Sequence, residues 1–379
     1  MKALSLFYAT NRRHEGKDRF RPEGYGAKFS DDGSENLRFG KLTLQADEQK
    51  INEFLNAPVG DGVGNGNDLA DYLTSRASSA KIQAYRERIN PEFADINQPN
   101  KQLGSITMFN ELRGYMRKHT DVLVYIHGYN VSWAGAVGAA LSLQEMLNQS
   151  QNRDPSQGVR VVLFTWPSDG MGLPFVSYKS DRTDARGSGY AIGRGFLKLA
   201  DYLVMLRDRS KGGEQLCDQD IHLLCHSMGN YVLQNALERM AGFTPRSVLP
   251  RIFEHVFLCA ADVDDNVLEP SQEMSSLHEV TRSVSVYYNR GDMALHVSDY
   301  TKGNPERLGT SGAARPAVLH NKVCQIDCSP IVHGLVEHSY YLTGNVNADI
   351  RLSIDGVPHD DPKRRRKKVG MVDGVWTMT

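Results

Sequence analysis

Six short apolar runs follow residue 121, and they constrain the fold more than any other feature of the chain. Each run is about five residues long and mostly lacks the alternation of apolar and polar residues that marks a strand with one face in water. Strands that are buried on both faces of a parallel sheet have this composition. The runs are residues 122–126, 161–165, 221–225, 255–259, 284–288 and 323–326.

Stretches with helical periodicity separate these runs. Residues 189–207 show it most clearly, because their apolar side chains recur at steps of four and three and form one stripe. The stripe consists of Ile192, Phe196, Leu199, Leu203 and Leu206. Two further candidate helices cover residues 133–147 and 230–240. Strands that alternate with helices predict an α/β fold with a mostly parallel, doubly wound sheet.

The composition is that of a globular chain. Of the 379 residues, 40% are hydrophobic and 23% are charged, which excludes the disordered, collagen-like and coiled-coil classes. The formal net charge of -1 creates no global field that would hold nucleic acid or an anionic membrane, so any such binding must be local, and we expect no nucleic-acid partner. No run approaches the roughly 18 apolar residues of a membrane-spanning helix. We interpret residues 1–10 as a first strand rather than a signal peptide.

The cysteines favour a reducing compartment. Their number is odd, they are dispersed along the chain, and three lie within or beside apolar segments, as buried thiols do. The five are Cys217, Cys225, Cys259, Cys324 and Cys328. Cys324 and Cys328 lack a second ligand pair for zinc, so we expect no metal at them. We expect a cytoplasmic protein that uses no cofactor.

The chain is predicted to form one α/β domain over residues 1–359. Within this domain, residues 15–120 are a polar extension or insertion and residues 121–345 are the catalytic core. The glycine-rich segment 59–66 has neither a P-loop's Lys-Ser/Thr nor the Rossmann spacing, so it is predicted to be a flexible loop. Residues 360–379 contain six consecutive cations and are predicted to be a basic, mobile tail, with a polyanion-binding arm as the alternative.

One short motif carries nucleophile chemistry. The run 221–225 leads directly into Cys225-His-Ser-Met-Gly229, and a candidate helix follows. A serine hydroxyl becomes a nucleophile when a sharp turn between strand and helix projects it towards a base, and small flanking residues permit that turn. Gly229 meets this requirement, whereas Cys225 stands where the usual motif has its first glycine. The alternative for Ser227 is a helix N-cap.

A base and an acid follow the serine in chain order. Asp292 follows the run 284–288, and His338 follows the run 323–326. In a Ser, acid, His order the imidazole takes the serine proton, and the carboxylate orients the imidazole. The acid could instead be Asp262, which follows the preceding strand, and His333 is an alternative to His338.

An oxyanion hole is predicted at the end of the run 122–126. Gly128 lets the backbone turn there, so that an N–H can face a developing negative charge. The predicted donors are the backbone amides of Tyr129 and Met228. Trp166 and Tyr129, near the carboxyl edge of the sheet, are predicted to contact the substrate, with core packing as the alternative.

Ordered motifs along the chain resemble a family of esterase/lipase-like α/β hydrolases long catalogued as a domain of unknown function. The motifs are Tyr8-Ala-Thr-Asn-Arg12, His127-Gly-Tyr-Asn130, Phe164-Thr-Trp-Pro-Ser168, Tyr178 with Asp181, His226-Ser-Met-Gly-Asn230, Ala260-Ala-Asp-Val-Asp264, Asp292-Met-Ala-Leu295, Arg307 with Gly309, and His338-Ser-Tyr340. The resemblance runs from the first strand to about residue 345. It implies the α/β-hydrolase fold, a serine hydrolase mechanism and the triad Ser227, Asp292 and His338, and it implies no substrate.

Two functions of different classes follow from these observations. The first is a serine hydrolase that cleaves a small-molecule carboxylic ester, or a thioester or amide, through an acyl-enzyme. The second is a non-catalytic binding or scaffold protein on a hydrolase fold, which would hold a partner with the insertion or the basic tail. A metal-dependent hydrolase would need a ligand set that the sequence does not offer.

Overall fold

The computed structural model describes residues 1–86, 103–118, 120–149, 158–168, 174–211, 219–295, 306–332 and 338–379. The strands are β1 (Lys2–Thr10), β2 (Arg12–Glu15), β3 (Gly24–Phe29), β4 (Arg38–Ala46), β5 (Pro58–Val59), β6 (Gly62–Val63), β7 (Lys81–Ala84), β8 (Thr120–Ile126), β9 (Gly158–Thr165), β10 (Ile221–His226), β11 (Phe253–Cys259), β12 (Thr281–Tyr288), β13 (Val323–Asp327), β14 (Arg366–Lys368) and β15 (Val375–Met378). The helices longer than one turn are α1 (Glu48–Asn56), α2 (Gly66–Arg76), α3 (Gly104–Met116), α4 (Trp133–Leu147), α5 (Pro174–Lys211), α6 (Gly229–Phe243) and α7 (Gly344–Ile354).

An 11-stranded sheet organises the molecule, in the order β14-β15-β13-β12-β11-β10-β8-β9-β1-β4-β7. All neighbours from β15 to β1 run parallel. The outer pairs β14 with β15, β1 with β4, and β4 with β7 are antiparallel. The strands β8, β10, β12 and β13 therefore end at one edge of the sheet, and the loops that follow them are brought together there.

The predicted α/β fold is confirmed. Each of the six apolar runs lies in a parallel strand, from β8 to β13. Strand β8 shows why the runs do not alternate, because its successive side chains enter two separate apolar cores, one on each face of the sheet. Val122 and Ile126 pack into one core. Leu123 and Tyr125 pack into the other.

Residues 15–120, predicted as a polar extension, contribute strands to the main sheet. β4 pairs along its whole length with β1, and β7 pairs with β4 at the edge. The glycine-rich segment 59–66, predicted as a flexible loop, contains the hairpin strand β6 and the first residue of α2. A Cβ on Gly66 would lie 2.0 Å from the carbonyl oxygen of Leu342, so glycine serves close backbone packing there rather than flexibility.

The prediction of a basic, mobile tail at residues 360–379 is wrong for this structure. β14 and β15 form a hairpin that joins the main sheet beside β13. The side chains of Arg364 and Arg366 are 1% and 0% exposed, and both pair with Asp349, which is also buried. Two cations of the basic run are therefore buried and share one counter-charge, and the α/β domain extends beyond residue 359.

Membrane insertion through a helix finds no support in the described part of the chain. None of the helices there combines the length and the apolar character that crossing a bilayer requires.

Candidate active site

Ser227 occupies a strained turn between β10 and α6. Its φ of 52° lies in the left-handed region, where a residue with a Cβ pays a conformational cost. Backbone hydrogen bonds hold the turn: the Ser227 N–H donates to Cys259, and the Ser227 carbonyl accepts from Asp262 at 3.2 Å and Asn230 at 3.0 Å. Strain of this kind is retained where the surrounding structure enforces it, as at a nucleophile elbow.

The two small residues that flank Ser227, Cys225 and Gly229, are small for different structural reasons. A Cβ on Gly229 would lie 2.6 Å from the carbonyl oxygen of Ile126, so only glycine lets α6 begin this close to β8. Cys225 lies inside β10, paired with Ile126 and Leu258 of the neighbouring strands, and it is fully buried. The cysteine therefore replaces glycine at a position with ordinary strand geometry. Burial raises the pKa of the Cys225 thiol well above its usual value, so the thiol stays protonated.

His338 and Asp292 form a hydrogen-bonded pair. The Nδ1 atom of His338 lies 2.7 Å from Oδ2 of Asp292. The Asp292 carboxylate is 1% exposed, and its Oδ1 accepts from the amides of Ala294 and Leu295. The imidazole is 21% exposed and can meet a ligand. A carboxylate fixed in this way holds the proton on Nδ1 and leaves Nε2 as the basic nitrogen.

The pair lies beside the strand end that carries Ser227. Nε2 of His226 lies 3.1 Å from the carbonyl oxygen of His338, and the two rings are 4.6 Å apart between centroids. Burial, followed by the nearby His338, lowers the pKa of His226 well below its usual value. His226 is therefore neutral and supports the backbone of His338.

Asp262, the alternative acid, has other partners. Its Oδ2 accepts from the hydroxyl of Tyr178 at 2.8 Å, and its Oδ1 lies 3.4 Å from Nε of the buried Arg307. The carboxylate that contacts His338 is that of Asp292. The other alternative, His333, lies outside the described residues.

The predicted oxyanion-hole residues lie next to Ser227. A Cβ on Gly128 would be 2.6 Å from the Cβ of Ser227 and 3.2 Å from its Oγ, so the backbone of Gly128 faces the serine side chain. Met228 is the N-cap residue of α6, and its backbone N–H donates to no acceptor among the described residues. Tyr129 is half-buried, and its ring contacts that of Tyr178 edge-on.

Comparison with known proteins identifies the family. The family model described as "Alpha/beta hydrolase of unknown function (DUF900)" matches residues 107–350. The chain belongs to this family. A curated relative, "Uncharacterized protein alr1448" of Nostoc sp., is 25% identical over 237 residues, which cover 51% of this chain and 57% of the relative. The chain thus spans somewhat more than half the length of that relative.

The site residues described above lie inside the region that the family model matches. Trp166, which we predicted to contact substrate, is 0% exposed. Its indole N–H donates to the carbonyl of His127 at 3.0 Å, and its ring stacks on that of His127. The prediction of substrate contact is therefore wrong for Trp166, because the side chain packs against His127, which follows β8, and has no exposed surface for a ligand. The alternative, core packing, fits its position.

Two cavities of the protein lie away from this site. A polar cavity of about 660 Å³ is lined by residues of α7 and of the segment that contains Arg364. An apolar cavity of about 500 Å³ lies between α3 and α5 and reaches Val122, Ile221 and Phe253, near the starts of three strands. Neither is lined by Ser227, Asp292 or His338. The apolar cavity lies at the end of the sheet opposite to these residues, which follow the carboxyl ends of their strands. No cluster of metal-ligating side chains occurs among the residues that the structure describes.

Sequence reasoning missed a set of buried polar groups behind the loop after β8. Arg12, the first residue of β2, is 1% exposed and donates to the hydroxyl of Thr165 and to the carbonyl of Val131. On the other side, Asp181 of α5 accepts from Ser168 and from the amide of Asn130. The resemblance included these motifs without giving them a role. Their partners are distant in sequence, so spacing alone could not have assigned one.

Proposed function

We propose that the protein is a serine hydrolase that cleaves carboxylic esters through an acyl-enzyme. Ser227 is the nucleophile, His338 the general base and Asp292 the acid that orients it. The observation that carries the proposal is the 2.7 Å hydrogen bond between His338 and Asp292, located beside the strand end at which Ser227 is held in a left-handed turn.

The reaction follows from the roles of these groups. The Oγ of Ser227 attacks the ester carbonyl carbon while Nε2 of His338 takes the hydroxyl proton. The carbonyl π electrons move to the oxygen, and the backbone amides of Tyr129 and Met228 stabilise the resulting oxyanion. Collapse expels the alkoxide, which receives the proton from His338. His338 then deprotonates a water molecule, which attacks the acyl carbonyl carbon. The second tetrahedral intermediate collapses with cleavage of its bond to Oγ of Ser227, which receives the proton from His338, and the carboxylic acid is released.

The substrate class in this proposal is a small-molecule ester, with thioesters and amides as further acyl donors for the same machinery. The scaffold hypothesis was motivated by the long insertion and by the departure at Cys225, and it used the insertion or the basic tail to hold a partner. The insertion contributes β4 and β7 to the main sheet, and Cys225 fits its strand. Arg364 and Arg366 form buried ion pairs, so none of these features favours a scaffold.

We also propose a reducing, cytoplasmic location. In the described part of the chain the cysteines are buried free thiols, which a reducing compartment maintains. They are Cys225, Cys259, Cys324 and Cys328.

The direct functional test is ester hydrolysis by the purified protein, with p-nitrophenyl acetate as the probe. Ser227→Ala should lower kcat at least about 1,000-fold, because the nucleophile of a triad contributes several orders of magnitude. Its thermal midpoint should stay close to that of the wild type. Ser311→Ala is the matched control, since Ser311 lies at the surface and contacts Glu306. Full turnover by a folded Ser227→Ala variant would refute the mechanism.

A further inference from the structure

The loop between β8 and α4 supplies Gly128 and Tyr129 to the proposed oxyanion hole, and it is held by buried polar groups from three other parts of the chain. Its geometry at Asn130 is strained, with φ at 58°. A strained loop keeps one conformation only if its surroundings enforce it. The hydrogen bonds of His127 and Arg12 to the loop identify the groups that hold this conformation.

His127 forms a hydrogen bond with the peptide that joins Gly128 to Tyr129. Its Nδ1 lies 2.9 Å from the carbonyl oxygen of Gly128. Its Nε2 accepts from the backbone N–H of Trp166 at 3.2 Å, so the ring proton lies on Nδ1 and donates to Gly128. The C=O of Gly128 and the N–H of Tyr129 belong to one planar trans peptide and point in opposite directions. A bond that fixes the carbonyl therefore fixes the direction of the Tyr129 N–H.

The imidazole is in turn held by Arg12. The Oγ1 of Thr165 lies 2.9 Å from Nε2 of His127 and accepts a hydrogen bond from Nε of Arg12 at 2.9 Å. Because the hydroxyl accepts from the guanidinium, its own proton is directed to Nε2, whose single lone pair it shares with the N–H of Trp166. Hydrogen bonds thus connect Arg12 through Thr165 and His127 to the Gly128–Tyr129 peptide.

Arg12 also holds the far end of the loop directly. Its Nη2 donates to the carbonyl of Val131 at 2.6 Å, and its Nη1 donates to Gly26 at 3.1 Å. Burial lowers the pKa of Arg12 to about 9, against the opposing effect of the Asp181 carboxylate, so the guanidinium is charged at neutral pH. Only a planar group with several donors can bond to the loop, to Thr165 and to Gly26 at the same time.

We propose that Arg12 is a positioning residue for the oxyanion hole, which it orders through Thr165 and His127 and through Val131. This inference rests on the proposed serine hydrolase function and deepens it. Arg12 lies outside the region matched by the family model. Its proposed role means that the N-terminal segment of this chain contributes to the catalytic site.

The test compares Arg12→Lys and Thr165→Val with the wild type in p-nitrophenyl acetate hydrolysis and in the rate of covalent labelling by a fluorophosphonate. Lysine keeps the charge but loses the fork of donors, and valine keeps the volume of threonine but loses the hydroxyl. Both variants should lower kcat and the labelling rate about 10- to 100-fold, since complete loss of one oxyanion donor costs about 100- to 1,000-fold. KM should change less than about twofold.

A rescue experiment separates positioning from a general structural role. Arg12→Ala leaves a space lined by the acceptors of the guanidinium, and guanidinium ion at non-denaturing millimolar concentration should restore at least part of kcat. Arg13→Ala is the matched control, because the neighbouring Arg13 has an exposed side chain that pairs only with the exposed Asp31 at 3.3 Å among the described residues. It should keep the wild-type kcat and show no response to guanidinium.

The outcomes distinguish the two proposals. Wild-type kcat and labelling rate in folded Arg12→Lys and Thr165→Val variants would overturn the role of Arg12 and leave the serine hydrolase intact. A wild-type protein that neither hydrolyses esters nor reacts with the phosphonate would overturn the proposed function and this inference with it. Circular dichroism and the thermal midpoint identify the folded variants that enter the comparison.

Discussion

The space beside Ser227 leaves no room for a side chain at residue 128. A Cβ there would lie 2.6 Å from the Cβ of Ser227, so Gly128→Ala must displace the serine or the loop. We predict a fall in kcat of about tenfold or more, measured by ester hydrolysis, because the oxyanion donors are displaced from the reacting carbonyl. Gly135→Ala, in the first turn of α4, is the control, because its Cβ meets no atom closer than 3.5 Å. Equal activity of the two variants would show that the backbone at residue 128 does not position an oxyanion donor.

The two candidate acids should differ in what their loss affects. Asp292→Asn removes the acceptor that fixes the imidazole tautomer, and we expect kcat to fall about 10⁴-fold, as such a change does in a triad. Asp262→Asn should instead lower the thermal midpoint, because it weakens the ion pair of the buried Arg307. Kinetics and thermal unfolding of both variants decide between them. A larger kcat loss in Asp262→Asn than in Asp292→Asn would assign the acid to Asp262.

The elements that sequence analysis predicted correctly are those with a local signature. Strands β8 to β13 are apolar because both faces are buried, and α4 begins and ends at the residues that its periodicity indicates. The elements that it missed depend on distant partners. β15 pairs Val375 with Gln325 of β13, and its own sequence contains nothing that specifies this pairing. The chain order of the proposed triad could be predicted because each member follows a strand with a local signature. The hydrogen bonds of Arg12 to Val131 and Thr165 join residues distant in sequence, so they could not be predicted.

The C-terminal hairpin should contribute strongly to stability through Asp349. This carboxylate pairs with both Arg364 and Arg366, and all three side chains are at most 1% exposed. Asp349→Asn leaves buried cations without their counter-charge, so the free energy of unfolding should fall by about 3–5 kcal/mol. Urea unfolding measures this change.

Asp373→Asn is the matched control for that substitution. Asp373 pairs with Lys368 in the same hairpin, but its side chain is 96% exposed, and such pairs contribute little. Its variant should unfold at the same urea concentration as the wild type. An Asp349→Asn variant as stable as this control would show that the hairpin is not held by the buried pair.

Buried neutral histidines should make the whole molecule sensitive to acid. Burial lowers the pKa of both His127 and His255 to about 3, and it lowers the pKa of His226 well below its usual value. Between about pH 6.5 and pH 3 these histidines bind protons in the unfolded chain, where their pKa values lie near 6.5, and do not bind them in the folded protein. The stability contribution is therefore complete above about pH 6.5 and is lost as the pH falls towards 3.

The expected slope is up to roughly 1.4 kcal/mol per pH unit for each such histidine. Urea unfolding at several values between pH 7.5 and pH 5 measures it. His255→Gln should reduce the slope by the contribution of one proton, because glutamine does not titrate. An unchanged slope in that variant would show that His255 is protonated in the folded protein.

Covalent labelling with a fluorophosphonate tests most directly whether Ser227 is an activated nucleophile. In this reaction the Oγ of Ser227 forms a bond to phosphorus, fluoride leaves, and His338 takes the serine proton. We predict an adduct that mass spectrometry locates on Ser227, that is absent in Ser227→Ala and that is strongly reduced in folded His338→Ala. A folded wild-type protein without an adduct, or with the adduct on another residue, would refute Ser227 as the nucleophile.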